Sequence, residues 1–361
     1  MNKTASLTDQ CTEHIKQMLL SGELTNSKGF INEKELRTRL NVSRITMRRS
    51  LSALQNDNLL ISIPYRGYIP GPAVHILSSE NGYKSGSCRT ILWVKPPSEI
   101  HKELMHEKLT LNAAKEEAKK QDLNLSVCQL TPKELIPYIE KNRHTIFGIA
   151  LDWLDNSIAE SVRLTGLPVT LVEGSYDNIS IDSVIQANEK GTEAAINKLW
   201  EAGHKRIGMV VWAIPMIQPV RRRSAFVTAL LQRGIIDMGL IGSSARFGTA
   251  GGREATARIF NRPNPPTAII ICHPEMASGV IDELESRKIR PGDDINLTVW
   301  GMPDTKERWI GSKSRMKIPM DFITWSREEM GRLVIRTLEA RRSDPTMPPL
   351  HIEVPISLIN G

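Results

Sequence analysis

The 361-residue sequence has only four cysteines, Cys11, Cys88, Cys128 and Cys272, scattered along the chain with no CxxC pair. That spacing excludes a thiolate zinc site and a disulfide scaffold, and it points to a reducing cytoplasm. No apolar run approaches the roughly 18 residues needed to span a bilayer. The first residues, MNKTASLTDQ, carry no apolar stretch ahead of a small-residue cleavage site. A cytoplasmic chain without membrane contact is expected. The signatures of common enzymes are missing as well: no GxGxxG follows an early strand, and there is no GxxxxGK(S/T), HExxH or GxSxG. The glycine pair Gly251-Gly252 opens a helix after a loop and lacks the phosphate fingerprint. His101 and His106 lie five apart and do not share a helix face, so they make no metal pair. No enzyme, no cofactor and no metal are expected.

What is present describes an ordinary globular protein, 40% hydrophobic and 24% charged, long enough for two or three domains. The net charge is +7, and residues 1–71 hold +4 of it, with ten Lys/Arg against six Asp/Glu. The remainder is close to balance. A basic N-terminal module on a nearly neutral body is the charge layout of a polyanion-binding head, though a small excess also serves simply to solubilise a surface.

Along that module, Ile15, Met18 and Leu19 recur at helical spacing in a helix over 8–21, with Gly22 placed to stop it. Asn32 is a good N-cap for a second helix ending near Leu40, with Glu33 and Glu35 in its positive first turn. Ser43 caps a third, running to about Asp57. LLISI and YIP then flank Pro64-Tyr65-Arg66-Gly67 as a short hairpin. Residues 70–88 are rich in Gly, Ser and Pro and read as a linker.

No acidic residue stands between Leu36 and Asn56. In the third helix Met47, Leu51 and Leu54 form an apolar stripe, which turns Ile45, Arg48, Arg49 and Ser52 to the opposite side. Arg44 and Thr46 flank the helix N-terminus, where unpaired amides and the dipole favour phosphate. Arginine is also the side chain best shaped to read guanine, and an apolar Ile45 can rest on a thymine methyl. Periodicity alone leaves two readings open, a solvated basic face or a helix built to lie against a polyanion.

Residues 8–70 resemble a GntR-type winged helix-turn-helix, in NEKELRTRLNVSRITMRRSLSALQNDNLL and in a wing ending RGYI. The resemblance implies that VSR-x-T-x-R opens a recognition helix and that a glycine-bearing wing reaches the minor groove. Ser43, Arg44, Thr46 and Arg48 match position by position, as does Gly67, with Arg66 beside it. Asn32 stands where a serine cap is usual, and Ile45 where a polar residue is usual. Arg49 matches no family contact and is left to phosphate or solvent.

From residue 88 short apolar runs (TILWV, LSVCQL, IFGIAL, PVTLVE, RIGMVVW, TAIIIC, NLTVWG) alternate with helical stretches, which implies parallel sheets covered on both faces. So many units fit two similar lobes better than one sheet. Residues 88–361 resemble the LacI/GalR effector-binding domain, a two-lobed periplasmic-binding-protein-like fold. The matching pieces are NEKGTEAAINKLWEAGHKRIGMV, RRSAFVTALLQRGI and PPTAIIICHPEMASGVIDELESRKIRPGDDINLTVWG. The resemblance implies a sugar-like effector between the lobes, three crossings between them, and Arg222 reaching a ligand hydroxyl. Read without it, Arg222 is one of a solvated Arg221-Arg222-Arg223 run. The pattern departs at His273-Pro274, where an Asn-Asp pair is expected, at Pro303, where an aspartate is expected and Asp304 follows, and at Trp325, where a polar residue is common. His273 and Trp153 are further candidates for the pocket, or core residues of the cleft.

The expected architecture is therefore α/β: a winged helix-turn-helix over 1–71, a linker over 72–87, and a two-lobed effector-binding and dimerisation body over 88–361. The expected function is a transcription regulator, a repressor, that binds a near-palindromic double-stranded operator as a homodimer under control of a small molecule. The altered pocket keeps two alternatives in view. In one the body is only a dimerisation platform; in the other a sugar-binding or catalytic protein carries an incidental head.

Overall fold

The computed structural model describes residues 6–20, 24, 31–57, 59–63, 67–70, 88–95, 105–152, 156–175, 179–214, 216–235, 237–310 and 313–361. Gly22, Arg66, Trp153, His101 and the expected linker over 72–87 lie outside them. In the N-terminal part, α1 (Leu7–Leu20), α2 (Glu33–Leu40) and α3 (Arg44–Asn56) precede a hairpin of β1 (Leu60–Ile63) and β2 (Gly67–Pro70). The expected stripes meet: Ile15, Met18 and Leu19 of α1 and Met47, Leu51 and Leu54 of α3 are buried in one cluster with Leu36, Leu59 and Leu60. Each such side chain contributes about 1.5–3 kcal/mol on burial, which is what holds three short helices together. Ser50 Oγ adds a bond to the Thr8 carbonyl at 3.1 Å. Asn41 ends α2 in the left-handed region at φ 48° and donates its N–H to Arg37 O, a role that asparagine tolerates.

The hairpin pairs Leu60 with Pro70 and Ile63 with Gly67. Ile31 extends it by one bridge, exchanging N–H···O bonds of 2.6 and 2.9 Å with Tyr68. Gly67 makes that approach possible: its φ is +115°, and a Cβ there would stand 2.5 Å from the Ile31 carbonyl oxygen.

In the body, the first lobe runs β3 (Thr90–Lys95), α4 (Met105–Lys120), β4 (Asn124–Gln129), α5 (Pro132–Asn142), β5 (Ile146–Leu151), α6 (Asn156–Arg163), β6 (Val169–Val172) and β7 (Asp182–Gln186). The second runs α7 (Asn188–Glu201), β8 (Ile207–Trp212), α8 (Ile217–Leu231), β9 (Ile241–Ser244), α9 (Gly248–Phe260), β10 (Ala268–Ile271), α10 (Ala277–Ser286), β11 (Asn296–Trp300), α11 (Lys306–Ile310) and β12 (Asp321–Trp325). Helix α12 (Arg327–Ser343) then returns to pack on α4, β5, β6 and β7 of the first lobe. Strand β13 (His351–Val354) joins the first sheet and β14 (Ile356–Ile359) the second.

The strand orders are β13-β7-β6-β5-β3-β4 and β14-β12-β11-β10-β8-β9. Every pairing is parallel except β12 with β14. The chain thus crosses between lobes three times, after Gln186, after Trp325 and after Val354. Strands such as TILWVK and AIII are buried along nearly their whole length, as strands covered on both faces must be. Strands β7, β9, β12, β13 and β14 and helix α12 go beyond the elements expected from sequence.

Candidate nucleic-acid interface and interlobe cleft

The exposed side of α3 is organised by its first turn. Ser43 is the N-cap; its Oγ accepts from Thr46 N at 3.1 Å and lies 2.9 Å from Thr46 Oγ1. Asn32 caps α2 in the same way, accepting from Lys34 N at 2.8 Å. With Met47, Leu51 and Leu54 turned inward, Arg44, Arg48 and Arg49 are exposed, and Ile45 is 67% exposed. The isoleucine and the three arginines share one outward face.

One relationship was not visible in the sequence. Glu33, in the first turn of α2, sits 3.6 Å from Arg48 Nε and 4.0 Å from Arg44 Nε. Tyr68 of the wing is close enough to sense Glu33 and Arg48. Its phenol is raised above the usual range by burial and by Glu33, while Arg48 opposes the shift.

In the body, residues following the carboxyl ends of strands meet where the chain crosses between lobes, the place where open α/β sheets bind ligands. Arg222 of α8 is buried, not part of a solvated run: it is 4% exposed, whereas Arg221 pairs with Glu189 at 3.6 Å and Arg223 is exposed. Its Nε donates to Asn188 Oδ1 at 2.8 Å, its Nη1 donates to the Cys272 carbonyl, and its guanidinium lies 3.8 Å over the Trp300 ring. Burial pushes the Arg222 pKa down to about 10, which still leaves it protonated at neutral pH.

Trp325 is also buried, 6.1 Å from Trp300, and Arg327 stacks 3.7 Å over its ring. The result is a ladder of Arg222, Trp300, Trp325 and Arg327, with each guanidinium on an indole face. Trp300 is set against α7 at Gly191, where any Cβ would meet its ring at 2.5 Å. Glu173, after β6 of the first lobe, closes the ladder. Its carboxylate pairs with Arg327, and its carbonyl accepts from Gln218 Nε2. Glu173 is itself held in the left-handed region at φ 54°, a conformation that a non-glycine residue keeps only when its surroundings enforce it.

His273 forms an aromatic group with Trp212 and Phe247, at ring distances of 5.9 and 6.1 Å. Burial, then the charge of Arg222, pushes its pKa down to about 3, so the imidazole is neutral at physiological pH. Asp304 is exposed in the turn Pro303–Thr305 and shares no hydrogen bond or ion pair with the Arg222 group. Of the five expected pocket residues, the structure thus brings Arg222, Trp325 and His273 to the cleft. It leaves Asp304 at the surface, and Trp153 lies outside the described residues. Glu173, Asn188, Gln218, Trp300 and Arg327 complete the cleft without having been singled out in the sequence.

Residues 7–69 match the gntR family of bacterial regulatory proteins, and residues 196–361 match the periplasmic binding protein-like domain. The chain joins a GntR-type head to a LacI-like, periplasmic-binding-protein-like body. The first of the two matched families is one of bacterial regulatory proteins. Among relatives, the probable transcriptional repressor ExuR of Bacillus subtilis is 23% identical over 144 residues, 40% of this chain and 43% of that protein. The match therefore spans less than half of that relative. The lactose operon repressor of Escherichia coli is 22% identical over 81% of this chain and 79% of its own. The structure of the lac repressor dimer bound to operator and the anti-inducer ONPF superposes with a TM-score of 0.62 at 18% identity, over 81% of this chain and 98% of that one. The regulator CelR in complex with cellobiose gives 0.64 at 17% identity, over 95% and 97%. These likenesses establish the two-lobed fold of the body. Among the described residues no helix is long and apolar enough to cross a membrane.

Proposed function

We propose that the chain is a transcription repressor that binds operator DNA as a cytoplasmic homodimer and is controlled by a small molecule held between the lobes of its body. The head comprises residues 1–71, the linker 72–87 and the body 88–361. Recognition runs through Ser43, Arg44, Ile45, Thr46 and Arg48, with Asn32, Arg49 and the wing residues Arg66 and Gly67 at the backbone. The observation that carries this reading is the outward side of α3: a capped N-terminus with three exposed arginines and an exposed isoleucine, opposite a fully buried Met47-Leu51-Leu54 face.

Two-fold symmetry of a dimer places two such helices on two half-sites, so the operator is near-palindromic. A ligand in the cleft changes the relative stability of lobe arrangements, and through them the spacing of the two heads. It shifts that balance only by its differential affinity for the two states. The similar lac repressor bound to operator and CelR bound to cellobiose support the same division of labour here.

Fluorescence anisotropy on labelled DNA from upstream of the chain's own gene tests the proposal. Retention should be sequence-specific and fall steeply with salt, as phosphate contacts release counterions. If specific and random DNA bind alike at moderate salt, the regulator reading fails.

A further inference from the structure

The cleft buries two arginines, and Arg222 meets no carboxylate directly. Arg222 and Arg327 are both almost fully buried, on neighbouring tryptophans. Glu173 pairs with Arg327, while the bonds of Arg222 go to neutral acceptors, Asn188 Oδ1 and the Cys272 carbonyl. Among the described residues Arg222 has no ion pair with a carboxylate. The acids that a LacI-type pocket would supply are replaced: His273-Pro274 and Pro303 bring no charge, since His273 is held neutral. A desolvated cation is unfavourable unless an anion meets it; the carboxylates of Glu173 and Glu275 act on Arg222 from a distance, while its hydrogen bonds go to neutral groups.

The polar atoms left over fit an anion at Arg222. Around the same strand ends, Nε1 of Trp300 and of Trp325, Oε1 of Gln186 and of Gln218, and Nε2 of His273 are buried without a hydrogen-bond partner. Two indole N–H donors beside two guanidinium ions suit oxyanions. The two glutamine carbonyls suit hydroxyl donors. Buried polar atoms of this kind are normally satisfied, and one ligand bearing both an acid group and hydroxyls would satisfy both sets.

We infer that the cleft takes a small hydroxylated organic anion, a carboxylate or phosphate of a polyol, whose acid group displaces Glu173 from Arg327 and also meets Arg222. Glu173 is the internal stand-in for that anion. Glu173 follows β6 of the first lobe and Arg327 opens α12 at the second crossing, so their pair fixes the start of α12 against the first lobe when no ligand is bound. Entry of the ligand exchanges one carboxylate or phosphate for another on Arg327 and frees the β6 end of the first lobe. The inference rests on the reading that the cleft holds an effector.

The test is a titration of the full chain with four kinds of probe: hexuronates and gluconate as carboxylates, glucose 6-phosphate as phosphate, and glucose as the neutral control. At least one anion should raise the melting temperature and bind about tenfold or more tighter than glucose, the carboxylate and phosphate arms identifying which acid is preferred. Raising salt should weaken that binding. Glu173→Gln removes the competing charge while keeping the shape, and should tighten the same anion by about tenfold. Arg222→Gln and Arg327→Gln should weaken it, and Arg222→Lys and Arg327→Lys, read beside circular dichroism, separate lost binding from lost folding.

Glucose binding as tightly as the anions overturns the inference. So does silence across the panel in a folded chain, or an anion affinity that Glu173→Gln leaves unchanged or lowers. Operator retention is scored on the same samples. Retained operator binding with no anion preference sinks this inference alone, whereas anion binding without operator binding sinks the regulator reading alone.

Discussion

Glu33 and Arg48 face each other between α2 and α3, with Arg48 Nε 3.6 Å from Glu33 Oε1 and Arg44 Nε only slightly farther, at 4.0 Å. All three are at the surface, where an ion pair is worth about 0–1 kcal/mol, so stability is not its main consequence. The carboxylate instead fixes where the two guanidinium groups start from, and places a negative charge beside the surface proposed to meet DNA. Arg48→Ala should weaken specific operator binding by about 1–3 kcal/mol if the side chain reads a base. Glu33→Gln should strengthen binding to operator and random DNA alike, because it removes a charge that repels phosphate. Anisotropy titrations on both DNAs separate the two effects. An unchanged Arg48→Ala affinity would mean that this side chain faces solvent in the complex.

Gly67 carries the second expectation. Any side chain there must adopt φ near +115° and stand 2.5 Å from the Ile31 oxygen, a backbone group that cannot swing away without breaking its bridge to Tyr68. Gly67→Ala should therefore destabilise the hairpin by about 1–3 kcal/mol and reduce operator affinity through a displaced wing. Hydrogen exchange at the Tyr68 amide, which donates to Ile31 O at 2.9 Å, reads this directly. Unchanged protection at that amide would show that the Ile31 strand relaxes freely.

Much of this was legible in the sequence, and the reasons are local. Caps act within a few residues, so Asn32 and Ser43 announced their helices, and the period of Met47, Leu51 and Leu54 fixed which side of α3 is buried. Helix α12 had signals too: Ser326 at the N-cap with Glu329 three residues on, and Met330, Val334, Ile335 and Leu338 at helical spacing. Strand β9 had little, because IGSS is short and half polar. The composition of the cleft was out of reach for a different reason. Glu173, Arg222 and Arg327 are far apart in sequence, and only the crossings between lobes bring them to one place. The same nonlocality hid the Glu33–Arg48 pair, since the turn between α2 and α3 sets which acid faces which arginine.

The half-buried imidazole of His273, with its Nε2 fully covered, makes the body sensitive to acid. Its pKa in the folded chain is pushed down to about 3 from an unfolded value near 6.5, so below 6.5 the unfolded chain binds a proton that the folded chain refuses. The stability contributed by the neutral form is fully present above pH 6.5 and is lost as the pH falls toward 3. Between pH 7.5 and pH 5 the loss should be about 1–2 kcal/mol. Urea titrations of the wild type and of His273→Gln at both pH values measure it: the variant should lose less over this interval. Equal losses would assign the acid sensitivity to another group.

Arg341 and Asp182 set the last expectation, because they hold the segment that leads from α12 into β13. From α12, Arg341 Nε and Nη2 donate to the two oxygens of Asp182 at 2.8 and 2.7 Å, and Asp182 is 2% exposed. The same guanidinium donates to the Met347 and Pro348 carbonyls at 2.5 and 2.9 Å, while Leu350 N donates back to Asp182 at 2.8 Å. One ion pair thus folds the segment after α12 so that β13 enters the first sheet beside β7. Arg341→Met keeps the packing of the stem but strands a buried carboxylate, and should destabilise the body by about 3–5 kcal/mol. Asp182→Asn in the same chain removes that stranded charge and keeps an acceptor for Leu350 N. The double variant should therefore recover a large part of the loss, a coupling that a double-mutant cycle in urea reads directly. If the two substitutions instead add, Asp182 is solvated in the single variant, and the pair contributes only its geometry to that segment.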